Sequence, residues 1–264
     1  MEFWLLYLAT GIFAGFLAGL LGVGGGLVIV PVLVFIFTAQ HFPAEQVMHV
    51  ALGTSLASIM FTSVSSLRAH HAHGAVNWVV VRGITPGIIA GTLAGTVVVA
   101  QLSTTFLKVF FVVFLYYVAT QMVLNIKPKP SRELPGMVGM FGAGGVIGGV
   151  SSLVGIGGGT LSVPFMTWCN IRLHQAIGTS AAIGLPIAAA GAVGYIANGW
   201  RVEALPIYSL GFVYLPALAG LVVASVLTAP FGARLAHRLP VARLKKIFAL
   251  LLYVLGTRML LTLF

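Results

Sequence analysis

The sequence has no aspartate, four glutamates and one cysteine in 264 residues. Glu2, Glu45, Glu133 and Glu203 are scattered, so neither paired catalytic carboxylates nor a Ser-His-Asp triad can be assembled, and no enzymatic activity is expected. The lone Cys169 excludes an internal disulfide and a multi-cysteine metal site, and it reads as a packing residue. Charge of either sign is scarce, at 7% of residues against about 25% in soluble proteins. That is too little to cover a globule of this size in water. A soluble enzyme, a disordered chain and a secreted disulfide scaffold are thereby excluded.

What is present is apolar: 59% hydrophobic residues and a mean hydropathy of +1.08. The composition defines an all-α, polytopic membrane protein whose main partner is the lipid bilayer. The net charge of +10 would suggest nucleic acid in a soluble chain. In a membrane chain it reads as cytoplasmic loop charge and an anionic cargo, with no nucleic-acid partner. Cation and proton pathways place Asp or Glu in the membrane. No acidic residue lies well inside an apolar segment here, which favours an anionic or neutral cargo. Glu2 stands where a signal peptide would carry basic residues, so the first helix is expected to be retained.

The chain reads as an internal duplication. Leu21-Gly22-Val23-Gly24-Gly25-Gly26, leading to Pro31, matches Val154-Gly155-Ile156-Gly157-Gly158-Gly159, leading to Pro164, at an offset of 133 (154 − 21). His49-Val50-Ala51-Leu52-Gly53-Thr54-Ser55 matches His174-Gln175-Ala176-Ile177-Gly178-Thr179-Ser180 at an offset of 125 (174 − 49). Lys108, Phe111, Tyr116, Thr120 and Met122 match Lys245, Phe248, Tyr253, Thr257 and Met259 at an offset of 137 (245 − 108). A polar, Pro-rich linker over 126–135 separates a first repeat, 1–125, from a second, 136–264.

Each repeat holds five apolar segments: 3–21, 26–39, 44–66, 76–100 and 105–124, then 136–154, 159–169, 173–197, 205–228 and 242–263. Most fit a bilayer core of about 30 Å. Segments 2 and 7 are short and follow the Gly motifs, so each reads as a Gly-broken helix, unwound and then half-helical. Ten crossings put Arg68, Lys127, Lys129, Arg132, Arg172, Arg234, Arg238, Arg243, Lys245 and Lys246 on one side, against Lys108 and Arg201 on the other. With segments 2 and 7 re-entrant, eight crossings split the same charges seven to five. Charge favours ten crossings, both termini outside, and therefore two inverted repeats of five, a common plan for secondary transporters.

The candidate binding residues follow from that plan. Unwound backbone at Gly24, Gly25 and Gly26 and at Gly157, Gly158 and Gly159 offers N–H groups to an anion, with the next half-helix N-terminus behind it. Close helix packing through small residues is the alternative reading. Thr160 reads as the cap of the second half-helix. Gly53, Thr54 and Ser55, and Gly178, Thr179 and Ser180, fall near mid-membrane if Pro43 and Glu45 open the third helix and Asn170 caps the eighth. Their hydroxyls and backbone suit oxyanion oxygens, or else bond back to their own helices. His49 and His174 are candidate donors or proton carriers, or interfacial residues. Arg82, inside an apolar segment, adds attraction or snorkels. His70-His71-Ala72-His73 reads as a solvated loop, with a surface metal site as the alternative. No cofactor or resident metal is expected.

The motifs Gly22 to Pro31, Gly155 to Pro164, His49 to Ser55 and His174 to Ser180 resemble those of the TauE/SafE sulfite exporter family, over nearly the whole chain. The resemblance implies a carrier of a small sulfur-containing anion, sulfite or an organosulfonate such as sulfoacetate, in a bacterial inner membrane, working in export. Alternating access around a midplane site is the expected mechanism, and a homo-oligomer is allowed. A passive anion channel and a membrane-embedded accessory subunit are the competing readings.

Overall fold

The computed structural model describes residues 2–21, 25–124, 131–236 and 241–263. These form ten helices: α1 (Glu2–Leu21), α2 (Gly26–Ala39), α3 (Val47–Ala72), α4 (Trp78–Ala100), α5 (Thr104–Val123), α6 (Met137–Val154), α7 (Gly159–Trp168), α8 (Leu173–Gly199), α9 (Leu215–Ala236) and α10 (Val241–Leu261). A hairpin of β1 (Ser209–Leu210) and β2 (Val213–Tyr214) precedes α9. Among the described residues seven helices, α1, α3, α4, α5, α6, α8 and α9, are long and apolar enough to cross a membrane. At 14 and 10 residues, α2 and α7 rise only about 21 and 15 Å.

Most helix limits fall within two residues of the sequence reading, and the departures have local causes. The histidine cluster is not a loop. His70 is buried and its Nε2 lies 3.1 Å from the Gly19 carbonyl, so its polar edge is satisfied inside and α3 continues to Ala72. Segment 9 starts ten residues late, because the β1–β2 hairpin occupies Ser209 to Tyr214 and ties back through Phe212 N–H to the Tyr195 carbonyl. Pro43 to Gln46 form a turn before α3, with Gln46 N–H donating to the Pro43 carbonyl at 2.9 Å. Asn170 is left-handed at φ 65, and Arg172 takes the N-cap place of α8. Gly158, not Thr160, is the N-cap of α7.

Two helix pairs pack backbone to backbone. Gly11, Gly15 and Gly19 of α1 meet Leu221, Ser225 and Ala229 of α9, and a Cβ on Gly15 would stand 2.4 Å from Ser225 Cα. Gly87, Gly91 and Gly95 of α4 meet Phe141, Gly145 and Gly149 of α6. Small residues four apart allow this approach where lipid supplies no hydrophobic drive. The matching order of the contacts makes α1 parallel to α9 and α4 parallel to α6. Hydrogen bonds that pair Thr54 with Tyr214, Thr62 with Ser225 and Ser65 with Val226 make α3 parallel to α9 as well. Asn77 with Thr179, and Thr96 with Gly194, make α8 parallel to α4. In contrast α3 and α8 are antiparallel, Leu56 facing Gly191 and Ser63 facing Gly184. So are α5 and α10, where Tyr116 bonds Thr257 at 2.7 Å and Thr120 bonds Tyr253 at 2.6 Å.

The main core cluster wraps around α3 and α8, the two most buried long helices, and a small second cluster joins Ala57, Ala192 and Val213. The outer helices expose large apolar side chains, among them Leu5, Val146 and Val223. Such a surface is stable against lipid, not against water.

Candidate functional site

The two glycine turns meet in the centre of the bundle. Gly25 (φ 76, ψ −10) and Gly158 (φ 75, ψ −8) hold the N-cap places of α2 and α7 in the same left-handed conformation, which costs a non-glycine residue about 1–2 kcal/mol. Gly26 packs so closely on the Gly155 carbonyl that a Cβ would come within 2.2 Å of its oxygen. The same oxygen accepts a hydrogen bond from Ser55 Oγ at 2.8 Å. Gly24 lies outside the described residues.

A small cavity opens beside the α7 turn. It is lined by Thr62, Ser63 and Ser66 of α3, Gly157, Ala18 of α1, and Ala181 and Gly184 of α8. Its volume of about 10 Å³ holds roughly one water molecule. Ser66 Oγ is buried and has no hydrogen-bond partner among the described residues. The hydroxyls of Thr160 and Ser162, in the first turn of α7, and of Ser151, whose Oγ lies 3.4 Å from where a Gly158 Cβ would stand, are likewise buried and unpartnered. The first N–H groups of a helix have no partner within it, and its N-terminus carries partial positive charge. Uncommitted hydroxyl donors beside such an end, without a nearby carboxylate, suit the oxygens of a small anion.

The two Gly-Thr-Ser motifs lie at separate levels. Gly53 admits the Phe212 carbonyl and Gly178 the Ala75 carbonyl; a Cβ on either would stand 2.4 Å from that oxygen. Two residues on, the Tyr214 N–H donates to Thr54 Oγ1 and the Asn77 N–H to Thr179 Oγ1, each at 2.9 Å. Each motif therefore clamps the chain segment entering α9 or α4. Thr54 is the eighth of 26 residues in α3 and Thr179 the seventh of 27 in α8, both nearer a helix start than its middle. Ser180 Oγ donates back to the Ile177 carbonyl at 2.9 Å.

The remaining predicted residues are dispersed. His49 is buried, with Nε2 3.1 Å from the Val99 carbonyl and its ring 5.1 Å from that of Phe212. His174 is exposed in the first turn of α8. Arg82 is exposed on α4 and does not line the central cavity. The residues absent from the sequence reading are Ser63, Ser66, Ser151 and Ser162. The signal for Ser63 and Ser66 was the hydroxyl run Ser55, Ser58, Thr62, Ser63, Ser65 and Ser66 along one apolar segment; Ser151 and Ser162 stand on other segments, outside that run. His70 and Tyr195 were also missed: Tyr195 OH donates to the Ser152 carbonyl at 2.8 Å, as His70 reaches that of Gly19.

Membrane-length helices with lipid-compatible outer faces make this a multi-pass membrane protein, and known sequences place it among transporters. A probable membrane transporter protein of Haemophilus influenzae is 41% identical over 259 residues, covering 97% of this chain and 98% of the relative. One from Methanocaldococcus jannaschii is 27% identical over 264 residues, covering 97% and 95%. A third, from Bacillus subtilis, is 29% identical over 184 residues, covering 61% and 66%. The profile described as Sulfite exporter TauE/SafE matches residues 7–259, and the chain belongs to that family. No solved structure matches significantly.

Proposed function

We propose that the protein is a secondary transporter that exports a small sulfur-containing anion, sulfite or an organosulfonate such as sulfoacetate, across the bacterial inner membrane. Cargo class and direction come from the family's description. The observation that carries an anion site is the set of buried, unpartnered hydroxyls of Ser66, Ser151, Thr160 and Ser162 around the Gly157–Gly159 turn. In this reading they hold the anion near the midplane and the two repeats rock around it.

Inverted repeats are supported by helix direction. The equivalent helices α3 and α8 are antiparallel, as are α5 and α10. The bonds Tyr116–Thr257 and Thr120–Tyr253 exchange equivalent partners, as a two-fold axis requires. Both α1 and α3 run parallel to α9, so the chain between them, including α2, has to return across the bundle. The same argument applies to α7, between α6 and α8. These directions support the reading of ten crossings, in which the start of α3 and α5 lies on the outer side and the cation-rich loops inside.

Thermal stabilisation of the purified protein by sulfite, sulfate, thiosulfate, sulfoacetate, taurine and acetate tests the anion site. A ligand bound to the folded state alone stabilises it by about 2.7 kcal/mol at a hundred times its Kd. A selective shift with sulfite or a sulfonate, reduced by Ser66→Ala, is expected. The absence of a shift with all six removes the cargo class.

A further inference from the structure

A second, larger cavity of about 640 Å³ lies where α3 and α5 begin. Its lining includes Gln46, His49, Thr104, Thr105, Lys108 and Phe212. Its chemistry is unlike that of the central cavity. Lys108 is half-buried, one turn beyond Thr104 on the same helix face, and has no ion-pair partner among the described residues. The 20-residue α5 starts here; Ser103 Oγ caps the Phe106 N–H, so the N–H groups of Thr104 and Thr105 and the partial positive charge of the helix start add to the ammonium. His49 lines the same space at 4% exposure. Its Nε2 is committed to the Val99 carbonyl, and its Nδ1 is buried without a hydrogen-bond partner. With Nε2–H donating to that carbonyl, Nδ1 is a bare acceptor and needs a donor such as a bound water to complete it. One carboxylate lines the cavity, that of Glu45, and it is exposed at the rim. The Glu45 backbone carbonyl is occupied by the Thr104 hydroxyl.

The inner wall of this vestibule is the β1–β2 hairpin. Phe212 sits on Gly53 and against the His49 ring, and Thr54 clamps Tyr214. The vestibule therefore lies on the far side of the hairpin from Thr62, Ser63 and Ser66. Within the pocket range of about 300–1,000 Å³, it has room for a small organic anion with its hydration.

We propose that this vestibule is a distinct anion-binding site, in which Lys108 and the two uncapped N–H groups at the start of α5 hold the sulfonate or carboxylate head of a small organic anion, and His49 Nδ1 accepts a hydrogen bond from a water that bridges to it. Resting on the transporter reading and its orientation, it would be the outer station where cargo waits on the far side of the hairpin.

Local protection tests it without requiring transport. Full-length purified protein is acetylated with a neutral succinimidyl ester at constant ionic strength set by gluconate, and the rate at each lysine is followed by mass spectrometry. Saturating sulfoacetate should slow Lys108 roughly tenfold, since a site nine-tenths occupied leaves one-tenth of the amine free. Lys246, exposed on α10, should be unaffected. His49→Phe, which removes that acceptor, should weaken the protection of Lys108. Equal Lys108 rates with and without sulfoacetate and sulfate overturn the proposal, as does equal slowing of Lys108 and Lys246. Anionic phosphatidylglycerol offers a similar head group, so vesicles of it form a separate arm. Protection by those vesicles alone would assign the site to lipid and also overturn the proposal. If Lys108 is protected while the transport assay shows no flux, the vestibule stands and the transporter reading falls; the reverse result separates them the other way.

Discussion

Thr54 and Thr179 each accept a backbone N–H from a segment distant in sequence, and Gly53 and Gly178 make room for the carbonyl two residues before it. Replacing either Thr by Val keeps the shape and leaves a half-buried N–H without its partner, a loss of about 1 kcal/mol. Thermal unfolding in detergent should show that loss in both variants, with sulfite or sulfoacetate affinity nearly unchanged. Undiminished stability with lost affinity would return the hydroxyls to the anion site. Gly53→Ala or Gly178→Ala should destabilise by about 1–3 kcal/mol through the clash with Phe212 or Ala75. The motif itself was legible in the sequence because it occurs twice. Its role was not, because residues 75–77 and 212–214 carry no pattern that announces a clamp. The pairing of His70 with Tyr195 was hidden for a related reason: different side chains reach equivalent carbonyls, and only the offsets, 125 for the donors (195 − 70) and 133 for the acceptors (152 − 19), relate them.

Among the elements, α2 and α7 depend on their glycine turns. Gly158→Ala places a Cβ on a left-handed residue, a cost of about 1–2 kcal/mol. It also tilts the first turn of α7, which carries Thr160 and Ser162. The expected result is a lower unfolding temperature together with reduced stabilisation by the cargo anion. A variant with normal anion response would separate this turn from binding. Helix limits were readable from apolar run length and from Gly and Pro at the ends. The reading failed at the end of α3 and at both ends of α9, which runs on to Ala236 where the apolar segment was read to stop at 228. There a polar His is satisfied within the bundle, and an apolar stretch folds into a hairpin instead of a helix. The stripes Gly11-Gly15-Gly19 and Gly87-Gly91-Gly95 were visible as small residues four apart, but which helices they join is set by the tertiary fold.

For the whole molecule, the proposed repeat rests on three ordered matches in the sequence, and the proposed direction of each half on loop charge. Both fit the antiparallel pairing of α3 with α8 and of α5 with α10. The topology makes a separate prediction. In a chain lacking Cys169, single cysteines at Gln101 or Arg201 should react with an impermeant maleimide on intact cells, while those at His73 or Arg234 should react only after permeabilisation. Labelling of all four from one side would contradict ten crossings. The central claim, that the bundle is a carrier alternating around an anion, is tested most directly by counterflow. Proteoliposomes loaded with unlabelled sulfite or sulfoacetate are diluted into a trace of the same radiolabelled anion. A carrier predicts a transient overshoot of internal label above equilibrium, abolished by a variant that empties the central site. Label that rises to equilibrium without overshoot, at a rate linear in concentration, would contradict alternating access and make the protein a channel.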